Sequence, residues 1–416
     1  MQLRICCLAA VVLSRAAAQE LDLDDLIRQA LERNPEVLVA QKKYEAARQR
    51  PSQVASLPDP TFSPGWNSNG NPLPGAGLGR DATSSIGFSV TQDIPHPGKQ
   101  RLRANVARKE AESQRAEYDA AQLNITSRVK QAYFRLQHYY AAREVLERNR
   151  DLLKSLLDVT TARYSAGKAA QQDVFKAQLQ ISLMSAKITA LDRERHLREA
   201  EINSLIGMPT NTPLPHPGEP HVGPLPETLA DLQTAARERS PMRVRDQKMA
   251  ERAETALNLA RKDYYPDYSV TGGYYNMGGL PPFYSFRADI KIPLYFRSKQ
   301  RAEITEQAAL VAQARHAYEA TGLALDLRIA DDYSQAETAY ELVESYRSTI
   351  LPQARLTVES SLAAYQTGGV DFLSVLNNEA AALDYEMELH EEMQAYHLAI
   401  VRLEESTGME LMGGGH

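Results

Sequence analysis

The chain is written twice. Leu31-Glu32-Arg33-Asn34-Pro35 returns as Arg237-Glu238-Arg239-Ser240-Pro241, and Ser56-Leu57-Pro58-Asp59 returns as Tyr264-Tyr265-Pro266-Asp267. Ile94-Pro95 with Lys99-Gln100-Arg101 returns as Ile292-Pro293 with Lys299-Gln300-Arg301. Ala162-Arg163-Tyr164-Ser165-Ala166-Gly167 returns as Ala363-Ala364-Tyr365-Gln366-Thr367-Gly368, and Gly207-Met208 as Gly408-Met409. The matches keep their order at a spacing of roughly 200 residues, so whatever one half folds into, the other must also form. Between the halves lies 209–226, with seven prolines in eighteen residues. Such a segment has neither helix nor inner strand open to it and must run extended. The division is therefore a first repeat over 19–208, the linker 209–226, a second repeat over 227–409 and a flexible tail over 410–416.

Each half reads as helix, two strands, long helix, turn and return helix. Asn34-Pro35 and Ser240-Pro241 have the form of an N-cap followed by proline in the first turn. The Ala-, Glu-, Arg- and Lys-rich segments behind them favour helix to about Gln53 and Lys262, where Pro58 and Pro266 end them. From Gly98 to about Ser165 no strong breaker occurs. Val129, Ala132, Leu136, Tyr139, Leu146, Leu153, Leu156 and Thr160 step mostly by three and four residues, a coiled-coil seam. Such a helix would be a rod of ~100 Å. The second half carries the matching seam on Tyr333, Ala336, Tyr340, Val343, Ile350, Val358, Leu362 and Tyr365, with a kink expected at Pro352. Gly167 and Gly368-Gly369 turn the rods back, and Gly207 and Gly408 end the return helices.

The strands alternate. Ile86, Phe88 and Val90 are set against Gly87, Ser89 and Thr91, and Tyr284, Phe286, Ala288, Ile290 and Ile292 against Ser285, Arg287, Asp289 and Lys291. Weaker strands precede each, around Phe62–Trp66 and Val270–Tyr275, joined through glycine- and proline-rich loops. A half-buried sheet with one wet face gives this pattern. So does a transmembrane strand of ~9–11 residues with a lipid face, a polar lumen and aromatic girdles. The rods have their own seams and offer no second layer to cover such a sheet. Open edges cannot sit in lipid, and four strands have two. The smallest bacterial barrels have about eight strands, so several identical chains must close one barrel, with cyclic symmetry as the natural solution. Two copies fill the lumen with side chains; a duct demands three or more.

Composition narrows the function. The 416 residues carry a formal charge of −6, with 47 Lys+Arg against 53 Asp+Glu, which argues against a basic nucleic-acid-binding surface. No stretch approaches the ~20 apolar residues of a membrane helix. Arg4, the apolar run Ile5–Leu13 and Ala16-Ala17-Ala18 before Gln19 have the form of a signal peptide over 1–18. Its removal would take Cys6 and Cys7, the only cysteines, leaving no disulfide or thiolate chemistry. There is no H-E-x-x-H, G-x-S-x-G or phosphate-binding glycine loop, so no enzyme, cofactor or metal centre is expected. Asp22, Asp24 and Asp25 read as a charged helix start rather than a calcium loop. Met387, His390, Met393 and His397 share a helical face but stretch over ~15 Å, too far for one metal. The run Lys99–Arg103 suits either lipid headgroup contact or a solvated helix start.

The leader, the duplicated halves, Asn34-Pro35, Ile350-Leu351-Pro352-Gln353-Ala354, and Tyr164…Gly167 with Tyr365…Gly368 together resemble the TolC-like outer-membrane efflux ducts, the outer membrane factor family. The resemblance covers about 20–409. It implies a mainly α fold with a small β part: long antiparallel hairpins forming a coiled-coil tunnel, and four transmembrane strands per chain closing as a twelve-stranded barrel in a homotrimer. It implies a passive duct in the outer membrane of a Gram-negative-type bacterium, in contact with its lipid and extending into the periplasm. The implied partners are a periplasmic adapter and an inner-membrane pump of RND or ABC type. Gln92-Asp93-Ile94-Pro95-His96-Pro97-Gly98-Lys99 resembles the heavy-metal cation branch. The competing class is a secreted or periplasmic coiled-coil scaffold or adapter with no channel, which has no need of girdled strands.

Site residues follow from the two lines of reasoning. Alternation assigns Ile86, Phe88, Val90, Phe286, Ile290 and Ile292 to lipid. The turns Ser165-Ala166-Gly167 and Thr367-Gly368-Gly369 are the surfaces expected to meet the adapter. The resemblance places Asp173 and Tyr365 at positions that link the hairpins in a closed gate. The family's gate arginine falls on Val370, and its constricting aspartates fall on Ser374 and Asn377, with Asp371 nearby as a replacement ring.

Overall fold

The structure is a computed structural model that describes residues 20–69, 71–225 and 227–411. The expected leader and residues 412–416 lie outside the described residues. Each repeat has the same element order. The first holds α1 (Leu23–Arg33), α2 (Pro35–Ala55), β1 (Thr61–Asn67), β2 (Ser85–Ile94), α3 (Lys99–Ser165) and α4 (Gln171–Leu205). The second holds α5 (Leu229–Arg239), α6 (Pro241–Lys262), β3 (Asp267–Met277), β4 (Leu280–Lys291), α7 (Gln300–Ser345), a π-turn (Tyr346–Ile350), α8 (Leu351–Thr367) and α9 (Phe372–Thr407). No helix among the described residues is long and apolar enough to cross a membrane.

The compact units cut across the repeats, each taking pieces of both halves. One unit comprises 36–121 and 233–327. It contains a four-stranded sheet, antiparallel in the order β1-β2-β3-β4. Its helices are laced by polar contacts: Lys109 to Glu251 at 2.7 Å joins α3 to α6, and Thr321 to Asp246 at 2.6 Å joins α7 to α6. The expected caps are only partly as read: Ser240 stands before α6 and Pro241 opens it, but the serine side chain makes no capping bond.

The other unit comprises, among the described residues, 20–35, 122–232 and 328–411. Here the first seam packs as its spacing requires, since Val129, Ala132, Leu136, Tyr139, Leu146, Leu153, Leu156 and Thr160 are all buried. The second seam is looser: Ala336, Val343 and Tyr365 are buried and the other five half-buried. Lys130 of α3 reaches Glu404 of α9 at 2.7 Å, a pair with both side chains about nine-tenths covered. The linker is strapped down by side chains. Gln137 donates to the Gly218 carbonyl at 2.6 Å, Tyr396 donates to that of Gly223 at 2.6 Å, and the His397 ring faces the His221 carbonyl at 2.9 Å. His397 also faces the Met393 carbonyl and stacks on Phe134, so its ring nitrogens are spent on the backbone.

At Pro352 the helix widens instead of breaking. The Leu351 N–H bonds the Tyr346 carbonyl five residues back, and Pro352 sits in the first turn of α8. Proline has no N–H and crowds the carbonyl four residues before it. One π-turn relieves that crowding without ending the rod.

Candidate functional site

Two sites carry the functional reading, and each lies within one unit. The first is the sheet. Directly paired residues of antiparallel strands share a face. Phe62, Pro64 and Trp66 of β1 pair with Val90, Phe88 and Ile86 of β2. These pair with Gly272, Tyr274 and Asn276 of β3, and Gly272 and Tyr274 with Phe286 and Tyr284 of β4. Tyr268 pairs with Ile290 on the same side. Rings touch across all four strands: Phe62 to Phe88 at 5.4 Å, Phe88 to Tyr274 at 6.1 Å and Tyr274 to Tyr284 at 5.5 Å. This aromatic face is uncovered, and Phe286 is 79% exposed. The opposite face carries Ser63, Ser89, Thr91, Ser269, Thr271, Ser285, Arg287 and Asp289. Ile292, assigned to the lipid face by alternation, lies just beyond the end of β4 and is exposed.

The polar face has an aromatic corner that alternation did not reveal. Tyr275 and Phe283 pair there at 6.0 Å, with Tyr275 lying over Gly87. A Cβ on Gly87 would stand 2.0 Å from the Tyr274 carbonyl oxygen, so only glycine permits this approach. β1 and β4 each present an outer edge with no partner strand among the described residues.

Within the basic run after β2, Arg101 is exposed, but Lys99 departs from the expected exposure. It is not a solvated side chain: it is 3% exposed and pairs with Asp263 at 3.1 Å and Asp267 at 2.9 Å. Asp267 also accepts from the His96 N–H at 2.8 Å. The segment 92–99, which carries the resemblance to the heavy-metal branch, is thus fastened to the start of β3.

The second site is the pair of hairpin turns. They are copies of one motif. Lys168 N–H bonds the Arg163 carbonyl at 2.8 Å and Gly167 N–H that of Tyr164 at 2.9 Å. Gly369 N–H bonds the Ala364 carbonyl at 2.8 Å and Gly368 N–H that of Tyr365 at 3.1 Å. This is the Schellman closure, which needs a left-handed residue; Gly167 and Gly368 supply it at φ +70° and +88°. Ser165, Ala166, Gly167, Thr367, Gly368 and Gly369 are all exposed.

The gate candidates lie at the ends of the helices that flank these turns. Tyr365 is buried, with its ring edge-on to Phe372 at 5.9 Å and its hydroxyl donating to Thr160 at 3.5 Å, not to Asp173. Asp173 sits in the first turn of α4, where a carboxylate suits the helix dipole. Asp371 caps α9: its carboxylate accepts the Ser374 N–H at 2.8 Å, and the bonds to Ser374 hold its pKa below the ordinary value. Val370 is half-buried against the core, and Ser374 and Asn377 are exposed.

A residue that joins the two hairpins at their turns was missed. The Arg163 guanidinium lies 4.6 Å over the Tyr365 ring and donates to the Tyr365 carbonyl and, at 2.8 Å, to that of Gln366. A further contact reaches the Lys168 carbonyl at 3.4 Å. One signal was present in the sequence. Arg163 falls opposite Ala364 in the duplicated motif, so the halves differ where one supplies a clamp for the other.

The comparisons follow from this geometry. The family model described as outer membrane efflux protein matches residues 26–208 and 233–409. Nodulation protein T of Rhizobium leguminosarum bv. viciae is 23% identical over 319 residues, 72% of this chain and 65% of that protein. The aligned part thus spans less than two thirds of that relative's length. The solved structure of CusC, studied for its folding and transmembrane channel formation, superposes with a TM-score of 0.79 at 19% identity. The match covers 94% of this chain and 92% of that one. The outer membrane protein VceC of Vibrio cholerae gives 0.78 at 19% identity over 93% and 96%. The chain shares their fold: mainly helical, with a small antiparallel sheet.

Proposed function

Because the chain belongs to the outer membrane efflux protein family, we propose that it is the outer-membrane channel of a tripartite efflux system, a passive duct with no catalytic step of its own. Three copies close their sheets into a twelve-stranded barrel, and their hairpins form the tunnel on the periplasmic side. The observation that carries this reading is the sheet: one aromatic, uncovered face, one polar face and two open edges. A soluble scaffold would have to hide that face or blunt those edges. In a closed barrel the first meets lipid, the second lines the lumen and the edges vanish. Ile86, Phe88, Val90, Phe286 and Ile290 meet the hydrocarbon, and Ile292 lies at its border.

Exposed leucines support assembly. Leu323 and Leu327 of α7 are each 73% exposed and Leu356 of α8 is 65% exposed in one chain. Neighbouring copies cover them. The six turn residues receive a periplasmic adapter, through which an inner-membrane pump delivers cargo. The gate is held at the same turns by Arg163 on Tyr365 and Gln366, with Asp173 and Asp371 as charges at the helix starts beside it. Membrane fractionation with an unboiled gel tests the class. Outer-membrane partition with a heat-labile trimer band is expected; a soluble monomer would end this reading.

A further inference from the structure

Near the hairpin turns, between α3, α8 and α9, the packing leaves a groove. Its apolar wall is Leu152, Leu156, Val159, Val358 and Leu362, around a cavity of about 120 Å³. A second stretch of about 270 Å³ shares Leu152, Val358, Leu362 and Glu379 with it, and the two together reach the scale of a site for a small organic molecule rather than a bare ion. Glu379 of α9 lines this apolar stretch and also the polar stretch that adjoins it. It is only 7% exposed, and its hydrogen bond comes from a neutral group, the Asn149 amide, at 2.5 Å.

The charges around it are spoken for. Arg148 of α3 and Arg355 of α8 share the groove, but both pair with Glu386 of α9. Glu359 of α8 is the remaining charged side chain of the lining. Two cations therefore stand against three carboxylates, and Glu379, which neither cation pairs with, is buried against hydrocarbon. Burial, with Glu386 adding repulsion, pushes the Glu379 carboxyl up to about 7. A buried acid without a cation costs stability; a glutamine of the same shape would not. A metal ion does not suit the site, since one carboxylate and an amide supply too few oxygens. An anion would meet Glu379 and Glu359.

We propose that this groove binds small organic cations, with the cationic head at Glu379 and the apolar body along Leu152, Leu156, Val358 and Leu362. The head supplies the missing positive charge and the body covers the exposed hydrocarbon. Binding requires Glu379 to be ionised, so affinity rises with pH through neutrality.

The test uses benzyltrimethylammonium, whose charge does not change with pH, titrated calorimetrically into the full-length assembled protein. With a carboxyl near 7, about a tenth of Glu379 is ionised at pH 6 and about nine tenths at pH 8. Affinity in the wild type should rise about tenfold between those pH values. Glu379→Gln should bind about tenfold more weakly at pH 8 and lose the pH dependence. Neutral benzyl alcohol should bind equally at both pH values. A flat wild-type profile, absence of binding, or a pH rise that survives in Glu379→Gln would overturn the proposal. The wild-type profile alone decides if the variant does not assemble.

Discussion

Arg163→Ala should open the duct. The guanidinium spans two hairpins, donating to the carbonyls of Tyr365 and Gln366 and covering the Tyr365 ring. Charged hydrogen bonds contribute about 1.5–3 kcal/mol each when shielded, and a cation–π contact at an exposed site about 0.5–1 kcal/mol. Arg163 is half-buried and the Gln366 contact is exposed, so water replaces much of this. A net loss of about 2 kcal/mol is the reasonable magnitude, which shifts a closed-to-open equilibrium about thirtyfold. Single-channel recording in planar bilayers reads it as open probability. Arg163→Lys keeps the charge but loses the fork and should lie between wild type and alanine. Tyr365→Phe with Asp173→Ala removes only a long hydroxyl contact to Thr160 and a helix-start charge, and should change opening little. The reasoning fails if Arg163→Ala opens no more often than wild type, or if the Tyr365/Asp173 double variant opens as readily.

Phe88→Arg or Ile290→Arg should cost ~2–4 kcal/mol of barrel stability at mid-bilayer depth, and arginine at Ser89 or Asp289 much less, read by urea-dependent loss of the trimer band; equal costs would refute the facing. Gly87→Val should block sheet formation, because its Cβ lands on the Tyr274 carbonyl; normal outer-membrane yield would contradict this. Lys130→Met removes the buried cation beside Glu404, which keeps the Leu411 N–H, and should cost about 3 kcal/mol in thermal or denaturant unfolding. Glu379 has a raised carboxyl in the folded chain, so the folded state holds more protons and stability falls as pH rises from about 4.5 through 7. Glu379→Gln should accordingly match wild type at pH 5 and exceed it at pH 8 in melting temperature. Bulky residues at Gly167 or Gly368 force a side chain into the left-handed region and should abolish efflux while trimers remain.

What the sequence discloses is periodic and local. The eight residues of the first seam are all buried because a three-and-four spacing has one packing solution. Alternation placed Ile86, Phe88 and Val90 on one face because a strand has a period of two. The gaps are contacts between distant positions. Arg163 meets Tyr365 across some 200 residues, and Lys99 meets Asp267 across 168. Nothing in a basic run distinguishes a lysine that will be buried by two aspartates from one that will face water. The second seam reads as strongly as the first, yet five of its eight residues are only half-buried. Pro352 announced a kink, but the π-turn that absorbs it depends on the helix continuing on both sides.

The central claim is that β1 of one copy meets β4 of the next. Within one chain these strands are opposite edges, three strand spacings or ~14 Å apart, beyond disulfide reach. With Cys6 and Cys7 replaced, cysteines are placed along the polar face of β1 and β4, at Ser63 with Ser285, Arg287 or Asp289 in turn, and the membranes are oxidised. The account predicts that one register yields covalent species ending at the trimer, with nothing larger. Dimers as the end point, an open ladder of sizes, or no cross-link in any register would contradict it.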